Sequence, residues 1–185
     1  RIAKGFNDPR IRIISDGKNK GLAERLNEII DLAKFDLIAR MDADDIIPDY
    51  RLKLQYDYML ENPDKNLVSM GMAYFDGETY YGHLVPKVRS NLTLNDMYNG
   101  NSGICHATLL VRKSWYQRNR YNKNIIRIED YELWLRAFIK QDLKVGYINQ
   151  VGYYYRSDNS LSLRKYYLVY KSYLSNQNNI SVGNV

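Results

Sequence analysis

The chain of 185 residues carries a single cysteine, Cys105. A lone cysteine excludes an internal disulfide framework and fits a reducing cytosol. No apolar run approaches the roughly 20 residues of a membrane span. No basic segment followed by an apolar one opens the chain, so no signal peptide is expected. Internal repeats are absent, and the only biased stretch is the Asn- and Ser-rich tail. No Ser or Cys stands in an arrangement that resembles an activated nucleophile. Cys105 and His106 are adjacent, but on a strand neighbouring side chains point to opposite faces. Residues 1–10 are too few and too polar to supply a strand, a helix and a second strand ahead of Ile11.

What is present describes a soluble globular protein of one domain. Apolar residues make up 45% and charged residues 26%, enough to bury a core without disulfides. Lys and Arg number 27 against 21 Asp and Glu, giving +6 and a pI near 9.2. That balance favours anionic partners, among which nucleic acid, sugar nucleotides and the inner face of a membrane are not separated by charge alone. The 18 tyrosines suit stacking on bases or sugars, yet they are scattered through core-like periodic segments.

The chemistry concentrates where an apolar strand expected at 35–41 stops in Asp42, Asp44 and Asp45, followed by Ile46, Ile47 and Pro48. Two acids separated by one residue at a strand end can both face the crevice beyond a sheet. Their hard oxygens suit Mg²⁺ or Mn²⁺, which in turn holds a diphosphate. The same acids also suit helix capping and a turn. Spacing alone does not decide between the two.

Around that cluster the expected elements alternate. Ile11, Ile13 and Ile14 read as a short strand, and Leu22, Leu26, Ile29, Ile30 and Ala33 as one face of a helix. With the strand at 35–41 this gives strand, helix, strand and implies a right-handed crossover in a parallel sheet. Leu52, Tyr56, Met59 and Leu60 form a second helical stripe, ended by Asn62-Pro63-Asp64. A strand is expected at 67–75, a hairpin turn at Asp76-Gly77, a returning arm at 79–85 and a short helix at 91–98. Residues 104–113 read as an apolar strand carrying His106. At 128–137, Tyr131, Trp134 and Leu135, with Phe138 and Ile139, form a buried helical face, while Glu132 and Arg136 pair at i, i+4 on the surface. Glu129 and Asp130 fall at the start of that helix, where the macrodipole favours an ionised carboxylate able to take a proton. Capping alone would also place acids there. Edge strands are expected at 144–148 and 151–156, with a last helix at 166–174.

The run Asn19-Lys20-Gly21-Leu22-Ala23, then Leu26-Asn27, then the residues from Ile38 to Asp45, then Pro48 with Arg51-Leu52, resembles the middle of a family 2 glycosyltransferase of the GT-A fold. The resemblance implies an α/β, Rossmann-like three-layer fold with a mixed sheet. It places a partial catalytic domain at 1–175, without the family's first nucleotide-binding strands, and a frayed tail at 176–185. By resemblance Asp42 and Asp44 hold Mn²⁺ or Mg²⁺ and the sugar nucleotide, and Asp45, Lys20 and Arg156 lie on the donor side. Ile104 to Lys113 is similar to the family's H-x-x-hydrophobic-Arg strand, which puts His106 on the acceptor side. Glu129, Asp130, Leu133, Trp134 and Arg136 match an E-D-x-x-L-W-x-R pattern, which makes Asp130 the general base, Glu129 its neighbour and Trp134 an acceptor-side residue. Tyr155-Arg156 is similar to a Y-R-x-H segment, with Asp158 where the family carries His.

The implied activity is inverting transfer from a nucleotide-sugar donor to the hydroxyl of a glycan or lipid-linked acceptor, in bacterial surface polysaccharide synthesis. The work would be cytoplasmic, at the inner face of a membrane with peripheral contact. Because the lost strands are central in that fold, their absence would leave an unpaired edge, and self-association is expected. Two other readings remain from the residues: a non-catalytic remnant that binds acceptor or partner, and a basic, tyrosine-rich binder of nucleic acid, for which no sequence-specific motif is present.

Overall fold

The computed structural model describes residues 2–87 and 91–157. The expected last helix at 166–174, the tail and Asp158 lie outside the described residues. After a 3-10 turn at Ile2–Gly5 come helix α1 (Leu22–Leu32), strand β1 (Leu37–Ala39), helix α2 (Arg51–Glu61), and strands β2 (Leu67–Asp76) and β3 (Thr79–Leu84). Helix α3 (Leu94–Tyr98), a 3-10 turn at His106–Thr108, strand β4 (Leu110–Arg112), helices α4 (Lys113–Arg118) and α5 (Glu129–Ile139) and strand β5 (Val145–Arg156) complete the order.

Strand β2 is the spine. Its first five residues are all buried, and every other part of the sheet is built out from it. Strand β5 runs parallel along one edge, from Leu67 opposite Val145 to Phe75 opposite Arg156. On the other edge β4 pairs antiparallel at Leu67 and Val68 and β3 at Met72 to Asp76. Strand β1 pairs antiparallel with β4, Ile38 opposite Val111. The sheet is therefore mixed, and the expected parallel crossover is corrected. Residues 11–14 form no strand, because none of the described residues offers them a ladder partner, and a strand exists only by pairing.

Helices cover both faces, giving three layers. On one side α1, α4 and α5 bury Ile30, Trp115, Leu133 and Leu135 against Leu67 and Val111, with Trp115 stacked on Trp134 at 5.7 Å. On the other, α2 brings Met59 onto Val68 and Leu110. Each large apolar side chain so buried contributes about 1.5–3 kcal/mol. Gly146 of β5 admits α2 closely, since a Cβ there would lie 2.3 Å from the Tyr58 ring.

Helix α2 departs most from its apolar stripe. Leu52, Tyr56 and Leu60 are exposed, whereas Arg51 and Gln55 are fully buried beside Met59. Most of the groups of this buried polar pair are used: Arg51 Nε donates to Gln55 Oε1 at 3.1 Å, and Gln55 Nε2 donates to Thr108 O at 2.7 Å, while Arg51 Nη1 has no partner among the described residues. The expected strand at 104–113 is also corrected. A 3-10 turn carries His106, only residues 110–112 are strand, and helix α4 follows at once. The two edge strands expected at 144–156 are one strand, with register shifts at Met70 and Gly71 of its partner.

Candidate active site

Strand β1 delivers Arg40, Met41 and Asp42 to its C-terminal end, and a turn carries the chain through Asp44 and Asp45. Ile46 then bridges to Tyr154 of β5, its N–H donating to Tyr154 O at 3.0 Å and its O accepting from Tyr154 N–H at 2.8 Å. The buried Tyr153 hydroxyl sits under the turn. It accepts from Asp42 N–H at 3.0 Å and donates to Asp45 Oδ2 at 2.7 Å. Asp45 Oδ1 accepts from Arg156 N–H at 2.8 Å. Both oxygens of the buried Asp45 are thus used in fastening the acid turn to β5.

Asp42 remains half-buried, and Arg40 Nη2 donates to its two oxygens at 2.7 and 2.9 Å. Burial raises the Asp42 pKa, Arg40 opposes the rise, and the charges of Asp45 and Asp44 add to it. Asp44 is exposed. Arg156 Nε donates to Asp44 O at 3.0 Å, with the guanidinium over the Phe75 ring.

A second acidic position forms where α5 begins. Asp130 Oδ1 accepts from Tyr131 N–H at 2.9 Å, and Oδ2 lies 3.7 Å from His106 Nδ1. Burial raises the Asp130 pKa; the backbone N–H groups and the Arg40 charge oppose it. The helix N-terminus favours the ionised carboxylate, as expected from sequence; burial acts in the opposite sense and sets the direction of the shift. Glu129 is buried, and its Oε2 has no hydrogen-bond partner among the described residues.

His106 is held neutral. Burial, with help from the Arg40 charge, pushes its pKa down to about 3. Its Nε2 lies 2.7 Å from the Tyr121 hydroxyl, and its ring meets Trp134 edge-on at 5.8 Å. Trp134 itself is 3% exposed and stacked on Trp115, so it stands behind His106 in the core. Glu132, expected on the surface, is buried, and accepts from Arg136 Nε at 2.7 Å while Arg136 also donates to Arg120 O at 2.6 Å.

The sequence pattern known as glycosyl transferase family 2 matches residues 1–120, nearly two-thirds of the chain and the whole of the Asp42–Asp45 turn and His106. The chain belongs to glycosyl transferase family 2. It is similar to a putative glycosyltransferase, EpsE, of Bacillus subtilis (31% identity over 144 residues, 75% of this chain and 51% of that protein). It is also similar to an uncharacterized glycosyltransferase, MJ1057, of Methanocaldococcus jannaschii (29% over 173 residues, 90% and 58%). A third relative is the Escherichia coli UDP-Glc:alpha-D-GlcNAc-diphosphoundecaprenol beta-1,3-glucosyltransferase WfgD (29% over 167 residues, 87% and 62%). The chain spans little more than half the length of the first two. Among solved structures, S. aureus TarS 1–349 in complex with UDP-GlcNAc aligns with a TM-score of 0.59 at 15% identity, over 80% of this chain and 44% of TarS. That likeness establishes the GT-A fold, an open mixed sheet between helical layers.

Within this family 2 fold, the structure brings Asp42, Asp44, Asp45 and Arg156 to one end of the sheet, and His106 and Asp130 to one another, with Glu129 buried just before Asp130. Lys20 is instead tied to Asp16 at 2.7 Å and Glu28 at 3.5 Å. Arg25 pairs with the same two acids, and with Asp42, Tyr116 and Tyr121 it lines a cavity of about 310 Å³. For a divalent ion, Asp42 and Asp44 offer hard oxygens of the right kind, and the repulsion from Asp45 and Asp44, which adds to the rise that burial causes at Asp42, is what a cation would relieve. Among the described residues no third His, Cys, Asp or Glu joins them, so the remaining donors would be water and diphosphate.

Four residues of this arrangement carried no assignment from sequence: Arg40, Arg51, Tyr121 and Tyr153. The arginines lie inside the motif runs, so their positions were marked and their partners were not. Arg51 Nη2 donates to Arg40 O at 3.2 Å and Ala107 O at 3.1 Å, bracing the acid strand against the His106 turn. The tyrosines were lost among the 18.

Proposed function

We propose that this chain acts as an inverting, metal-dependent glycosyltransferase on a nucleotide-sugar donor. The observation that carries the reading is Asp130: a partly exposed carboxylate with a raised pKa, held at a helix start beside a neutral histidine. Such a group takes a proton more readily than an ordinary surface aspartate. In the reaction, Asp130 removes the proton of an acceptor hydroxyl, and the oxygen attacks the anomeric carbon as the bond to the nucleoside diphosphate breaks. One displacement inverts the anomeric centre and needs no covalent nucleophile. Asp42 and Asp44 would hold Mn²⁺ or Mg²⁺, which neutralises charge on the leaving diphosphate. Arg40, paired with Asp42 and felt at Asp130, keeps the two halves in electrostatic contact.

The names of the relatives support a lipid-linked diphosphate acceptor in surface polysaccharide synthesis, and therefore work at the cytoplasmic face of a membrane with peripheral contact. Among the described residues no helix is long and apolar enough to cross a membrane. Exposed Ile11, Ile13, Ile29, Leu32 and Phe35 lie ahead of β1, which among the described residues ends the sheet with a free edge. They support self-association, and light scattering that gives a monomer at working concentration contradicts it.

Calorimetric titration with UDP- and GDP-sugars, with and without Mn²⁺, tests the reading. Metal-dependent binding that is lost in Asp42→Asn is the expected result. A folded chain that binds none of them refutes donor binding by this chain and leaves the acceptor-binding module.

A further inference from the structure

Tyr121 has no part in the reaction as written, yet the hydrogen bonds around the base converge on it. Its backbone is held on both sides by one side chain: Asn27 Nδ2 donates to Tyr121 O at 2.9 Å, and Tyr121 N–H donates to Asn27 Oδ1 at 3.1 Å. Its hydroxyl lies 2.7 Å from His106 Nε2 and 3.1 Å from the Tyr116 hydroxyl. The far side of the imidazole, Nδ1, faces Asp130 Oδ2 at 3.7 Å, a few tenths of an ångström outside hydrogen-bond range.

The donors and acceptors run in one direction only. An ionised Asp130 accepts and never donates, so a neutral His106 that faces it favourably carries its hydrogen on Nδ1. Nε2 is then an acceptor and takes the Tyr121 O–H, which leaves the Tyr121 oxygen to accept from Tyr116. The opposite tautomer would set the Nδ1 lone pair against a carboxylate. Burial keeps the imidazole neutral, with the Arg40 charge acting in the same sense.

We propose that Tyr121, clamped by Asn27, is a positioning residue that fixes His106 as the Nδ1–H tautomer, so that His106 presents an N–H to Asp130 and aims the carboxylate at the acceptor hydroxyl. This rests on Asp130 being the base. Asn27 belongs to α1, whose Arg25 and Leu26 line the cavity shared by Asp42 and Tyr121. The same helix therefore walls the acid turn and steadies the base.

The chain contains two histidines, His83 and His106, and His83 is exposed on β3, so ring ¹⁵N spectra of the full chain separate them. The expected result at pH 7 is His106 as Nδ1–H in the unmodified chain, with Tyr121→Phe, which keeps the ring, shifting it toward Nε2–H. In transfer assays Tyr121→Phe should lower kcat roughly ten- to a hundredfold, with KM for donor and acceptor nearly unchanged. His106 found as Nε2–H or as imidazolium in the unmodified chain overturns the proposal. So does wild-type kcat in Tyr121→Phe when Asp130→Asn is inactive. Wild-type kcat in Asp130→Asn removes the base reading instead, and the tautomer still decides whether Tyr121 sets His106.

Discussion

Two acidic positions sit at the ends of elements in this chain, and they are stabilised in different ways. At the end of β1, Asp42, Asp44 and Asp45 crowd within four residues, with Arg40 on Asp42 and the Tyr153 hydroxyl and Arg156 N–H on Asp45. At the start of α5, Asp130 has a backbone N–H and a neutral imidazole but no Lys or Arg paired with it among the described residues. Burial raises both the Asp42 and the Asp130 pKa. Only at Asp42 does a directly bonded guanidinium oppose it. At the first site negative charge is compensated by Arg40 and by hydrogen bonds; at the second a carboxylate stands without a paired Lys or Arg among the described residues. On the proposed reading, donor binding falls to the first site and proton removal to the second.

The sharpest way to break this contrast is to neutralise each acid in turn. Asp130→Asn should lower kcat about 10²- to 10⁴-fold while calorimetric donor affinity stays near the unmodified value. Asp42→Asn should abolish the metal dependence of donor binding. If both variants lose donor affinity alike, the division between the two acids is wrong.

A second way is to cut the brace between them. Arg51 is fully buried, with its guanidinium 5.1 Å from the Tyr153 ring and its Nη2 on the carbonyls of Arg40 and Ala107. Arg51→Ala strands those carbonyls and opens a cavity, for a loss of about 3 kcal/mol in urea unfolding. Asp45→Ala leaves the Tyr153 hydroxyl and Arg156 N–H without their acceptor and should cost about 2 kcal/mol. Asp44→Ala, at an exposed position, should stay within about 0.5 kcal/mol. A fold cost at Asp44 equal to that at Asp45 would erase the distinction between an acid that fastens the turn and one that faces outward.

The division of labour within the acid turn was not legible from sequence, although the turn itself was. A pattern of apolar residues ending in acids locates a strand end, and it did so here. It cannot tell which acid faces inward, because that depends on Tyr153, more than a hundred positions away. The same limit explains α2. Periodicity found the helix and its end at Asn62, but put Leu52, Tyr56 and Leu60 inward, since apolar patterning has no way to represent a buried Arg51 and Gln55 that donate to distant carbonyls. His106 was correctly singled out and wrongly placed on a strand. The Thr108 side chain, which donates to Cys105 O and accepts from Met70 N–H, helps hold the 3-10 turn there.

The smallest expected effect separates acids by the sign of their linkage to pH. A carboxylate whose native pKa is raised binds more protons folded than unfolded, so its contribution is full below the unfolded value of 3.8 and is lost as pH rises through the native value. Asp130 is such a group, and at pH 7 its charge destabilises the fold. Asp130→Asn, which keeps the shape and never ionises, should therefore raise the melting temperature at pH 7, with the gain closing as pH falls below about 4. Asp16 is the opposite case. Arg25 and then Lys20 hold its carboxyl far below the usual range, so its contribution is present above 3.8 and fades as pH falls through the lowered native value. Asp16→Asn should lower the melting temperature at pH 7, by a small amount because the network is solvated. If Asp130→Asn also melts lower than the unmodified chain at pH 7, the carboxylate makes an attraction that outweighs its burial. The reason for calling it a base poised by desolvation would then be gone.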